Sequence, residues 1–401
     1  MARDAPQWGH AVPLDDVAGA VAIVGVGEGD YSRASGRTAV AIALQAAERA
    51  IDDAGLAPSD IDGLTWSEYA PALTPEVFCA HFGTDPPRFV SDQCGAMTGA
   101  GLAPYVAARA IAEGRATYVL NSYAVAWATE RDQMVGGPGE GYLGMTDKRH
   151  LEVPFGFFPQ PVYFAAIARR HMVEFGTTPE QLGAIAVTQR AHANLTPGAV
   201  MRDRPMDLDA YLAAPLVADP LRVPDCCLIS DGGAAFVTAA ADRARDRPHR
   251  PVVVGGVGLG VSHSGLHWTQ QPAMTATPQV FSAPSALAMA GVGPADVDVV
   301  EVYDPFTIVA LMQIEDMGFF APGEAGAVAA AGGLGHLGGR LALNTHGGLL
   351  SHAYVLGIAH VVELVRQLRG EAAAQVPGAE VGVYGGYTGM DASTLVLVRG
   401  D

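Results

Sequence analysis

The 401-residue sequence predicts an α/β protein built from two similar halves. One sign is a pair of segments, AGLAPSDIDGL (residues 54–64) and AGVGPADVDVV (residues 290–300), that share Ala, Gly, Pro and two Asp at matching offsets. Another is their setting. Each follows an apolar-periodic helix, TAVAIALQAAERAIDDAG or PSALAMAG, and leads into an extended stretch, LTWSEY or VVEVYD. Upstream of both, the β-rich runs VAIVGVG and PVVVGGVG end on glycines. Strand, helix, Pro-Asp loop and strand therefore occur twice in one order, which chance matches would not preserve.

The polar stretch RARDRPHRP places the division near residues 246–250, giving halves at 1–247 and 248–401. After the first repeat comes FVSDQC, then the Ala-rich helix TGAGLAPYVAARAIAEG and the apolar strand ATYVLNSYA. The late counterpart is LALNTHGG followed by LLSHAYVLGIAHVVELVRQLRG. Both halves thus set a glycine-bearing turn at a helix N-terminus, where free N–H groups and the helix dipole favour developing negative charge. A Gly-, Pro- and aromatic-rich stretch over about 129–161 reads as a loop insertion in the first half. Its Phe155, Phe157 and Phe158 are expected to wall an apolar ligand.

Composition narrows the function. A formal charge of −18 without any basic-aromatic cluster excludes nucleic acid as a partner. The N-terminus lacks the apolar run of a signal peptide and no segment suits a membrane span, so a cytoplasmic protein is expected. The four cysteines show no CxxC or zinc-finger spacing, and no metal is expected. GVGEGD lacks the third glycine of a dinucleotide loop, no GK[ST] follows any glycine run, and there is no GxSxG elbow. Cys94, in SDQCGAMTGAG, reads either as a helix-N-terminal thiolate or as a small buried apolar residue.

The run ADPLRVPDCCLISDGGAA (residues 218–235), together with EVYDPFT, NTHGG and LVRQLRGEA, closely resembles the thiolase superfamily, in its sterol-carrier-protein-type branch. The resemblance implies a thiolase fold, two βαβαβ halves in a five-layered αβαβα body. It also implies a nucleophilic Cys, two His turns and often a second Cys. Here Thr98 stands at the first nucleophile position, with Gly101 retained, and Cys94 lies a helical turn early. Tyr303-Asp304-Pro305-Phe306 replaces a His-Asp-x-Phe turn, and Ala353-Tyr354-Val355 replaces Gly-His-Pro, with Gly347, Gly348 and Gly357 kept. No Cys follows Cys227.

A phenol of pKa about 10 is a poor base for a thiol. An enolate-stabilising turn needs only backbone and a helix terminus. The tyrosine-for-histidine pattern resembles lipid-transfer-protein-like aldolases that remove steroid side chains from CoA thioesters. That implies a retro-aldolase splitting a β-hydroxyacyl-CoA, such as a 17-hydroxy steroid side-chain ester, into a ketone and propionyl-CoA. Tyr303 and Tyr354 would be its acid/base residues. Asp304 would orient the Tyr303 turn, while Thr98, Gly101, Asn344, His346, Gly347, Gly348 and His352 would form the oxyanion turn or contact substrate. No cofactor is implied beyond the coenzyme A of the substrate. The implied partners are a second copy in a homodimer and a DUF35-type OB-fold protein, fused to or bound with a MaoC-type hydratase. Two rival readings are a carbon–carbon bond-forming acyltransferase using Cys94 and a non-catalytic acyl-CoA or sterol carrier.

Overall fold

The computed structural model describes residues 7–130, 148–157, 159–264 and 268–400. In chain order the first half holds β1 (Gly9–Val12), β2 (Val21–Glu28), α1 (Ala39–Asp53), β3 (Gly63–Thr65), α2 (Pro75–Phe82), β4 (Phe89–Ser91), α3 (Thr98–Ala112) and β5 (Tyr118–Ala126). An excursion of α4 (Gln160–Phe175), α5 (Pro179–Leu195), α6 (Leu208–Ala213) and the ribbon β6 (Leu216–Ala218) and β7 (Leu221–Arg222) precedes β8 (Asp231–Ala240) and α7 (Ala241–Ala244). The second half holds β9 (Val252–Ser262), α8 (Gln279–Ala290), β10 (Val299–Val302), α9 (Thr307–Asp316), α10 (Ala325–Ala330), β11 (Ala342–Leu343), α11 (Ile358–Arg369), β12 (Val381–Tyr387) and β13 (Asp391–Arg399). The proposed division at 247/248 falls between α7 and β9.

Strand pairing repeats the duplication. The order β4-β3-β5-β8-β2 matches β11-β10-β12-β13-β9, with two parallel pairings followed by two antiparallel ones in each set. The sets join where Ala22 and Ile23 of β2 meet Val253 and Val252 of β9. Helix α1 packs on β2, β5 and β8, and α8 packs on β9 and β13, so each covers one outer face. Helices α3 and α11 touch strands of both sets and form the middle layer. The five layers αβαβα follow. β1 adds an antiparallel strand to β9.

The shared residues of the two repeats have local causes. Asp60 Oδ2 accepts from Ala57 N and Asp296 Oδ2 from Gly293 N, both at 2.8 Å, closing the same 3₁₀ turn. The second aspartates clamp a neighbouring strand start. Asp62 Oδ1 accepts from Thr117 N and Tyr118 N, and Asp298 Oδ2 from Glu380 N and Val381 N, ahead of β5 and β12. Each half thereby fixes where its parallel strands begin.

The alternating glycines answer a steric need. A Cβ at Gly27 would collide with backbone of α1, and one at Gly258 with the Ser282 carbonyl of α8. At these positions the strands have no side chain because a helix backbone lies directly on them. In α1 that helix is capped by Thr38, whose side chain accepts from Ala41 N, and it buries Ile42, Ala43, Ala46, Ala47, Ala50 and Ile51, a small-residue stripe at helical spacing.

Only part of the expected 129–161 insertion lies among the described residues, and Phe158 lies outside them. The aromatic wall is corrected for Phe155, which is 80% exposed because its short 3₁₀ turn stands out from the body. Phe157 instead rests on Tyr163, with ring centroids 5.0 Å apart.

Gly258→Ala should cost about 3 kcal/mol or more, since α8 must move off the sheet. Gly293→Ala, whose added Cβ would meet only Asp296 Oδ2 at 3.7 Å, should stay within about 0.5 kcal/mol of the parent. Thermal melting of the two variants checks the contrast.

Candidate active site

Tyr303 follows the last residue of β10, and its N–H donates to Gly385 O at 2.8 Å, extending the pairing with β12 past the strand end. The side chain is 4% exposed. Tyr354 approaches from the segment between the glycine turn and α11, its backbone fixed by donation from Tyr354 N to Ser230 Oγ at 2.8 Å. The two hydroxyls meet at 3.3 Å. Trp127 flanks Tyr354 with ring centroids 5.9 Å apart. Burial raises the pKa of Tyr303 and of Tyr354 above the ordinary phenol value; the nearby Tyr303 hydroxyl raises Tyr354 further, while the hydrogen bond from Tyr354 offsets a part of the rise at Tyr303. Both are therefore phenols, not phenolates, at neutral pH.

Asp304 is fully buried and receives Leu349 N and His360 Nε2, each at 2.9 Å, on Oδ1. The first bond reaches the turn before Tyr354 and the second reaches α11, so one carboxylate joins both tyrosine segments. A Cβ on Gly348, which has φ of +60°, would collide with that carboxylate. Gly347, at φ +108°, packs on Ala193 of α5. Asn344, in the left-handed region at φ +47°, exchanges its side-chain amide with Val302, accepting at 2.8 Å and donating at 3.1 Å. That amide extends the pairing at the end of β10.

His346 and His352 are buried with ring centroids 4.8 Å apart. Burial lowers both pKa values, to about 3 for His352, so both rings are neutral. Tyr31 packs edge-on against His352 at 4.4 Å and donates to Glu28 Oε1 at 2.7 Å.

The strained turn entering α3 falls on Met97, one residue before Thr98. Met97 has φ +49° and ψ −128°, a strained elbow into the helix, and carries a thioether, which is no nucleophile for acyl transfer. Its N–H donates to Leu356 O at 2.7 Å and its carbonyl accepts from Tyr384 Oη at 2.9 Å, tying the α3 N-terminus to the Tyr354 segment. Thr98 Oγ1 turns to Asp391 Oδ1 at 2.7 Å, and Gly101 lies against Ser393 and Tyr384. Neither side of α3 offers a thiolate. Cys94 is 4% exposed and burial pushes its thiol up to about 12, the state of a packed apolar residue.

Sequence reasoning passed over three residues of this site. Cys227 donates its N–H to Pro305 O at 2.9 Å and lies close enough to both tyrosines to interact with them electrostatically. Burial raises its thiol well above the ordinary value, so it too is protonated. Met97 escaped because an elbow is a backbone property, and His360 because it reads as one more residue on an apolar helix.

A family model described as "Thiolase C-terminal domain-like" matches residues 260–401. The steroid side-chain-cleaving aldolase of Thermomonospora curvata is 36% identical, over 94% of this chain and 98% of its own length. The 17-hydroxy-3-oxo-4-pregnene-20-carboxyl-CoA lyase of Mycobacterium tuberculosis is 35% identical, over 95% of this chain and all of its own. The solved Ltp2-ChsH2(DUF35) aldolase superposes with a TM-score of 0.88 at 33% identity, covering 96% of this chain and 99% of that one. The chain belongs to the thiolase superfamily, in the family of the steroid side-chain-cleaving aldolases.

Proposed function

We propose that the chain is a carbon–carbon lyase that splits a β-hydroxyacyl-CoA by retro-aldol cleavage, with a 17-hydroxy steroid side-chain thioester as substrate. The contact of two neutral phenols at 3.3 Å carries this reading. Cleavage needs the β-hydroxyl proton removed and a proton delivered to the α-carbon. The pair achieves both without a phenolate. One tyrosine accepts the β-hydroxyl proton while passing its own to the other, which protonates the α-carbon as the carbon–carbon bond breaks. The hydroxyl oxygen becomes the ketone, the acyl fragment leaves as propionyl-CoA, and both phenols end as they began. The 3.3 Å separation is long for an O–H···O bond, as is common before substrate closes a site.

The first amides of α3, beyond Met97, have no carbonyl within the helix and supply donors for the thioester enolate. Asp304 holds the two tyrosine segments together and takes no proton in the reaction. His346 and His352, buried and neutral, support the turn from behind. Coenzyme A enters as part of the substrate, and no further cofactor takes part in the proposed steps. The name of the solved relative couples its aldolase to a DUF35 component, which supports a DUF35-type OB-fold partner here. A homodimer, a MaoC-type hydratase as source of the hydroxyacyl substrate, and a cytoplasmic setting complete the proposal. Among the described residues, no helix is long and apolar enough to cross a membrane.

Incubation with a 17-hydroxy steroid side-chain CoA ester, with and without the DUF35 partner, should release ketone and propionyl-CoA in equal amounts. No release from several hydroxyacyl thioesters with the partner present would leave the carrier reading. Tyr303→Phe and Tyr354→Phe should each lower kcat by about 10²-fold or more with substrate affinity nearly unchanged. The double variant should be little worse than either single one, because a relay broken once is broken. Cys227→Ser and Cys94→Ser should retain turnover, whereas an acyltransferase would lose it at one of them.

The raised tyrosine values also fix a pH dependence. The active form is the protonated pair, which persists until pH rises through those values, so kcat should show no alkaline fall below about pH 10 from this pair. A fall centred near pH 7–8 in a steady-state profile would point to imidazole or thiol chemistry instead.

A further inference from the structure

Behind the tyrosine pair, three segments bring together polar groups that hydrogen bonding leaves incomplete. Glu301 comes from β10, His346 from the glycine turn and His360 from α11, and one donor atom from each lies within 4.8 Å of the others. All are closed off from solvent, with Glu301 and His360 at 0% and His346 at 2% exposure. Glu301 Oε2, His360 Nδ1 and both ring nitrogens of His346 lack hydrogen-bond partners. His346 Nδ1 and Glu301 Oε2 stand 3.0 Å apart without the alignment of a hydrogen bond. Unpaired buried polar atoms each cost about 1–3 kcal/mol, so one such atom from each of three residues, gathered this closely, calls for a common partner.

The geometry points to a divalent transition-metal ion held by Glu301, His346 and His360. The donor set of two imidazoles and a carboxylate suits zinc and its neighbours. Ligand atoms on such an ion lie about 3.3–4.2 Å apart at bond lengths near 2.0–2.2 Å, so the site closes with less than about 1 Å of side-chain movement. The surrounding contacts have the form that such sites use. His360 donates Nε2–H to Asp304 Oδ1 at 2.9 Å, leaving Nδ1 for the ion, a carboxylate–histidine–metal arrangement. Glu301 Oε1 accepts from Thr345 N at 2.7 Å and from Thr345 Oγ1 at 2.9 Å, leaving Oε2 for the ion.

Charge fits as well. The carboxyl groups of Glu301 and Asp304 both lie at the cluster, and the nearby Arg366 is already paired with Glu28 at 2.5 Å. Glu363 shares the Thr345 hydroxyl with Glu301 and is also held by Gln367 Nε2 at 3.0 Å. His352, with Nδ1 lacking a hydrogen-bond partner, stands next to His346 with ring centroids 4.8 Å apart. The ligands come from 301, 346 and 360, a spread that no spacing motif would reveal, and the sequence accordingly gave no expectation of a metal. An ion here would bind strand end, turn and helix into one unit directly beneath Tyr303 and Tyr354. The inference does not depend on the lyase reading.

The test uses the full chain, purified without a histidine tag from cells grown with zinc or cobalt. Elemental analysis should find about one ion per chain, resistant to brief chelation because the site is closed, and the cobalt form should show visible ligand-field absorption. Glu301→Gln and His346→Asn should lower the ion content at least tenfold while the folded spectrum persists, and Asp304→Asn should weaken retention about 10–100-fold. If the variants do not fold, the wild-type cobalt spectrum alone decides. Wild-type protein with no more than about 0.1 ion per chain from either medium, or variants that keep the ion in full, would overturn the site and leave a hydrated polar cluster.

Discussion

The Asp304 carboxylate is the contact on which the site rests. It is buried, follows Tyr303 directly, and holds the Leu349 amide and the His360 ring on a single oxygen. Through those two bonds the end of β10, the turn leading to Tyr354 and the first turn of α11 become one object. Gly348 has no side chain because that carboxylate occupies the space. Without this junction the two tyrosine segments would be held by their separate bonds to Gly385 and Ser230, with no carboxylate to join them. The duplicated fold supplies the frame: α11 in the middle layer brings His360 between the sheets, where a carboxylate can meet it away from water.

Burial then decides what chemistry the frame can host. A thiolase needs a thiolate and an imidazole that titrate near neutrality. Here Cys94 and Cys227 are held protonated by desolvation, His346 and His352 are held neutral, and the tyrosines are pushed further from ionisation. These thiols, imidazoles and phenols around the pair are thus kept uncharged. Such an environment is hostile to acyl transfer through a charged sulfur, but it suits moving one proton between neutral oxygens and a carbon. The replaced side chains and the dry surroundings support one reading, and either alone would be weaker.

Much of the fold was legible because its causes are local and repeated. Asp60 with Asp62, and Asp296 with Asp298, recur since each pair closes a turn and clamps a strand. The alternating glycines around Gly27 and Gly258 recur since a helix backbone lies on each strand. The tyrosines could be found because the glycine framework around them is kept. What stayed hidden depends on contacts between distant segments or on backbone geometry. Met97 looks like an ordinary apolar residue until its φ of +49° is seen, and the elbow consequently falls one residue before Thr98. The Asn344 amide pairs with Val302, 42 residues earlier, a contact that no local pattern announces. Phe155 looked like a pocket wall by its composition alone, and an exposed turn carries it away.

The most direct test of the account is a crystal structure of the chain with its DUF35-type partner and a non-cleavable analogue of the hydroxyacyl thioester. The account predicts one tyrosine oxygen within about 2.6–3.2 Å of the β-oxygen and the other facing the α-carbon, with the thioester oxygen at the α3 amides. An analogue whose carbonyl carbon sits against Cys227 or Cys94, with the tyrosine hydroxyls turned away, would contradict it.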